Sequence, residues 1–203
     1  MTTTLPEDKE IIFAYLTIHD FFDTYIVQDA LQYLQSILKA ATGKKVWKRS
    51  CPFSLLHYIA QLDKLCTAAF TIHNNYAQRA QAIISNPPID GNPNINQLQA
   101  CKGSKRGDTL WSCFPRSLTL SQYYDPYKAI KKNCNYMPEP GWKKALAELQ
   151  EYALSPATIN DIYPPYNILM LQLRLAQLIE ACHLLEVRTN NTNKKSAEKN
   201  ENT

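Results

Sequence analysis

Asn167-Ile-Leu-Met-Leu-Gln-Leu-Arg-Leu-Ala-Gln-Leu-Ile-Glu-Ala-Cys-His-Leu-Leu-Glu-Val187 is the stretch that decides the fold class. Leu171, Leu175, Leu178, Cys182 and Leu185 recur at steps of three and four, with Ile168 one step earlier. Steps of that size line one face of an α-helix. Tyr163-Pro-Pro165 just upstream bars any preceding helix from running into it.

The same period recurs towards the N-terminus. Phe22, Ile26, Ala30, Leu34, Ile37, Leu38 and Ala41 make a second stripe. Asp20 or Asp23 is its expected cap, and Gly43 stands where a helix commonly ends. Ile11 to Ile18 is too apolar for a tail and predicts a shorter helix, joined to the main one at His19-Asp20. An antiparallel pair joined by a short loop is expected here. Ser50 and Pro52 open a long helix carrying Leu55, Ile59, Leu62, Cys66 and Ala69, with Asn86-Pro-Pro88 ending it.

Two further helices complete the pattern. Asp125-Pro126 starts a short one, to about Cys134. Pro138-Glu-Pro-Gly-Trp142 starts another that reaches Leu154, with Trp142, Leu146, Leu149 and Ala153 inward. The expected fold is therefore all-α: an irregular bundle of four long and one or two short helices. Residues 86–117 form a long irregular insertion, rich in Pro, Asn and Gly. Residues 1–188 are read as a single helical domain. Residues 189–203 are read as a disordered polar tail, since they hold almost no apolar surface to offset the entropy of ordering. Leu65 to Ile72 and Leu178 to Leu185 resemble each other, as two closely packed helices would without any duplication.

Composition narrows the function. Glycine is scarce (5 of 203 residues), and neither Gly-x-Gly-x-x-Gly nor Gly-x-x-x-x-Gly-Lys occurs, which disfavours a phosphate-cradling loop. The acidic start Met1 to Glu10 lacks the form of a signal peptide, and no uninterrupted apolar run reaches membrane-spanning length. A cytoplasmic location without membrane contact is expected. The six cysteines include no CxxC pair, so free thiols and no zinc are expected.

No catalytic constellation stands out. His19 lies beside Asp20 and Asp23, but neighbouring side chains on a helix point apart. Glu180 and His183 have the spacing of half a di-iron motif, and no second Glu-x-x-His occurs. Cys51, near Arg49 at a helix start, has the best setting for a lowered thiol pKa. The expected function is a non-enzymatic interaction or regulatory module with a protein partner and with no cofactor or metal. An enzyme using His19, His57 or His183 with a carboxylate is a third reading.

The alternative to a protein partner is nucleic acid. Residues 1–38 carry six acids against Lys9, a net charge of −5, whereas residues 101–132 carry seven bases against two acids, a net of +5. Lys44, Lys45, Lys48 and Arg49 flank Trp47. Lys102, Lys105, Arg106, Arg116, Lys131 and Lys132 lie among Trp111, Phe114, Tyr123, Tyr124 and Tyr127. Cations neutralise phosphates and rings stack on bases, so these ten cations are the candidate nucleic-acid-binding residues.

Overall fold

The computed structural model describes residues 6–43, 46–83, 115–162, 164 and 166–200, with side chains for 9–43, 46–75, 115–161, 164 and 166–188. These residues form an all-α, irregular bundle. Its helices are α1 (Pro6–Thr24), α2 (Val27–Thr42), α3 (Pro52–Ile83), α4 (Leu120–Tyr124), α5 (Pro126–Tyr136), α6 (Glu139–Leu154) and α7 (Ile168–Asn200), with a 3₁₀ turn at Ile159–Ile162.

The helix with the clearest stripe is the centre of the bundle. α7 packs against α5, α2 and α1, and also touches α3 and α4. Leu171, Leu175, Leu178, Ile179, Cys182 and Leu185 are buried along it, so several sides are covered at once. Ile168–Arg188 is long and apolar enough to cross a membrane, with mean hydropathy 1.4, but 67% of that window is buried inside the protein. A helix apolar on most of its sides belongs in a core, and here the other helices supply most of the cover. The helical backbone runs on to Asn200. The side chains of 189–200 and all of 201–203 lie outside the described residues, and with them the expected polar tail.

The N-terminal reading needs correction. α1 passes straight through His19-Asp20 and ends only at Thr24. Ile11, Ala14, Ile18 and Phe21 form one buried face, at steps of three and four. That face packs on α3 and α7, and Phe21 meets the Tyr58 ring of α3 at 6.4 Å. A break at His19 would remove Phe21 from the core. The turn falls instead at Tyr25-Ile26, and α2 starts without a side-chain cap. Asp20 and Asp23 therefore cap nothing. α2 leaves α1 to pack on α6 and α7, so the first two helices form no paired hairpin.

The rest of α2 matches its stripe, with Ala30, Leu34, Ile37, Leu38 and Ala41 buried, and Gly43 donates its N–H to the Lys39 carbonyl just past the helix end. α4 was not anticipated, although Thr119 and Gln122 are a capping box readable in the sequence. Of the expected insertion 86–117, residues 86–114 lie outside the described residues.

Candidate functional site

Polar side chains on a buried helix must find partners, and on α7 those partners lie in the segment returning from the insertion. The Glu180 carboxylate accepts the backbone N–H of Arg116 and that of Ser117, both at 2.8 Å. Gln177 Nε2 donates to the Ser117 carbonyl at 2.9 Å, and Gln177 Oε1 accepts from Arg174 at 3.1 Å. Arg188 donates to the carbonyls of Tyr123 and Tyr124, the last of α4, and lies over the Tyr123 ring. Residues 115–124 are thereby stitched to the central helix. Burial pushes the Glu180 carboxyl above the usual range, and the backbone amides pull it part of the way back.

This stitching places the second basic and aromatic stretch. Tyr123 and Tyr127 are buried, and Tyr127 Oη meets Tyr15 Oη of α1 at 2.6 Å. Lys128, Lys131 and Lys132 are exposed and share the outer face of α5, while Arg116 is exposed on the stitched segment. Lys102, Lys105 and Arg106 lie outside the described residues. In the first stretch, Lys44 and Lys45 are likewise outside, and Lys48 is exposed. Trp47 is buried against Tyr33, at 6.1 Å between rings. Arg49 stacks over the same Tyr33 ring at 4.7 Å and donates to Ser36 and Gln32 of α2. The structure thus turns Trp47, Tyr123 and Tyr127 inward, and Arg49 serves to clip the α2–α3 connector.

The three candidate histidines share no partner. His19 Nδ1 meets Glu186 Oε1 of α7 at 2.7 Å, and its Nε2 lies 3.4 Å from Asp23 Oδ2. His57 Nδ1 meets Tyr25 Oη at 2.7 Å. His183 packs edge-on against Phe22, and burial pushes it down to about 4. Glu180 and His183 accordingly serve different neighbours. Cys51 is exposed, and its thiol is lowered chiefly by the Ser54 hydroxyl at 3.2 Å, then by the backbone at the start of α3. Cys66 and Cys182 are buried and Cys134 is partly buried; all three are free thiols raised by desolvation. Among the described residues, no group of three or more His, Cys, Asp or Glu side chains could hold a metal ion.

His19 gives a testable pH dependence. Its hydrogen bond to Glu186 raises its pKa above 6.5, with Asp23 and Asp20 adding to the effect. The pair's contribution to stability is therefore full below 6.5 and is lost as pH rises through the raised value. By NMR, Glu186→Gln is expected to bring the His19 midpoint down towards 6.5. The variant should be less stable than wild type near pH 6, and that gap should narrow as pH rises through the raised value.

Besides these internal contacts, apolar side chains stand exposed in pairs at Phe53 and Leu56 on α3 and at Leu169 and Leu173 on α7, and in a group of three on α1. On the outer side of α1, opposite its buried face, Ile12, Phe13 and Leu16 are 53%, 71% and 52% exposed. Phe13, Leu16, Asp20 and Asp23 follow one another at steps of three and four, so they share a face. The sequence reading missed this strip because a break at His19 puts its two halves on separate helices. Taken together, the described residues define an irregular α-helical bundle with an apolar and acidic strip on one outer helix. Compared with known proteins, the chain matches no protein-family model, no curated protein and no solved structure.

Proposed function

We propose that this chain is a non-enzymatic interaction module that binds a protein partner through the outer face of α1. The observation that carries the reading is the exposure of Ile12, Phe13 and Leu16 together on one helix face. Contiguous apolar side chains on a surface mark contact sites more often than scattered ones do. Covering what remains exposed of each contributes roughly 0.8–2 kcal/mol, before the costs of association. Leu16→Asp puts a charge into that strip and leaves the buried face of α1 alone. In cross-linked pull-downs from nuclease-treated lysate, wild type is expected to retain a protein that Leu16→Asp loses, with both melting alike. Equal capture by the two proteins would overturn the reading.

A second reading, nucleic-acid binding, has one observation in its favour: Lys128, Lys131 and Lys132 stand together on the exposed face of α5. Cations so placed suit a phosphate backbone. Among the described residues, the buried rings of Trp47, Tyr123 and Tyr127 offer that reading no stacking platform, so it ranks second. Omitting nuclease from the same pull-down separates the two: material captured only without nuclease, and equally by Leu16→Asp, belongs to the second reading.

A further inference from the structure

The apolar strip of α1 does not end in neutral surface. One to two turns beyond Leu16, on the same face, stand Asp20 and Asp23, both exposed. They occupy the C-terminal part of α1, whose last turn holds no basic residue. The negative end of the helix dipole lies there, so acids at that end are unfavourable for the helix on its own. Glu186 of α7 adds a third carboxylate, and His19 sits among the three. The partly exposed His19 lies 3.4 Å from Asp23, and above its pKa it offers that carboxylate no charge.

We infer that the partner on this face is a basic amphipathic helix, whose apolar stripe covers Phe13 and Leu16 while its Lys or Arg side chains meet Asp20 and Asp23. The inference rests on the reading of α1 as the interface and adds the chemistry of what docks there. The apolar part of the face supplies affinity, and the acidic end sets direction, because a helix laid down the opposite way puts its cations beside Ile12 and Phe13. An anionic lipid surface fits poorly, since Asp20 and Asp23 would be repelled by it. A second copy presenting the cations of α5 also fits poorly. The outer face of α5 offers Lys128, Lys131 and Lys132 with Asn135 and no apolar side chain among them.

The test uses the full chain and two synthetic helical peptides of identical leucine stripe. One carries Lys beside the stripe and the other carries Glu. Fluorescence anisotropy is read for wild type, Leu16→Asp and the double variant Asp20→Asn with Asp23→Asn, each checked for helix content. The Lys peptide is expected to bind wild type and the Glu peptide to bind far less. The double variant should lose about 3- to 10-fold in affinity for the Lys peptide, as expected for two exposed ion pairs. Its affinity should also depend less on salt. Equal binding of both peptides, or a double variant as tight as wild type, overturns the basic-helix inference. If neither peptide binds while wild type still captures a protein that Leu16→Asp loses, the chemistry is wrong and the interface stands. If Leu16→Asp loses nothing in either assay, the interface itself falls. Sedimentation of wild type as a dimer that Leu16→Asp dissociates, or flotation with anionic vesicles, would assign the face to a second copy or to lipid and overturn the inference.

Discussion

Replacing Trp142 by alanine is expected to lower stability by about 3–5 kcal/mol. Trp142 is among the largest side chains that are fully buried, and its ring stands 6.0 Å from that of Tyr136. It sits at the start of α6, a helix that packs on both α2 and α3. Truncation leaves a cavity that helices held on two sides are poorly placed to close. Urea unfolding should show a lower midpoint with an unchanged slope, since the surface exposed on unfolding stays nearly the same. Leu169→Ala is the matched control, because Leu169 is 75% exposed and its loss should cost at most about 0.5 kcal/mol. Similar losses from both variants would mean that α6 is not packed as described.

The second large effect concerns Glu180. Glu180→Ala deprives two backbone N–H groups of their acceptor, and an unmet buried donor costs roughly 1–3 kcal/mol. The loss should be local. Amide exchange at Arg116 and Ser117 is expected to quicken greatly, while Leu62 and Leu65 in the middle of α3 stay protected. The pH dependence has a definite sign. Burial raises the Glu180 carboxyl above its ordinary value, so the folded protein holds that proton more tightly than the unfolded chain does. The contribution of this group is therefore largest below 4.5 and declines as pH rises through the raised value. Glu180→Gln does not titrate. Its stability relative to wild type should move in the variant's favour across that window. Movement the other way would mean that the amides outweigh burial and hold the carboxyl below the ordinary range.

Where one helix carries its own stripe, the sequence was enough. The buried faces of α2 from Ala30 onward, of α6 and of α7 repeat the apolar spacing residue by residue. The candidate surface was legible only in part. Ile11 to Ile18 is plainly too apolar for a tail, yet nothing local says which of its side chains face inward. Ile12 and Ile11 are the same residue type one step apart, and one is exposed while the other is buried. The basic and aromatic stretches are ambiguous in the sequence for a related reason. A tyrosine beside a lysine serves a phosphate-binding strip or a core edge equally well, and which of them it joins depends on what packs against it.

The apolar period of the chain by itself determined an all-α class and most helix starts and stops. A stripe at 3.6-residue spacing has to be covered, and proline fits the first turn of a helix but breaks or kinks its interior. Only the tertiary structure decided that α1 runs through His19-Asp20, since Phe21 is worth more against Tyr58 than Asp20 is as a cap. It also decided that Glu180 and Gln177 hold residues 116–117, that Arg49 clips α2 rather than facing solvent alone, and that Phe13 and Leu16 share an open face with Asp20 and Asp23. Each of these depends on groups far apart in the chain meeting across helices, and local spacing does not encode such meetings.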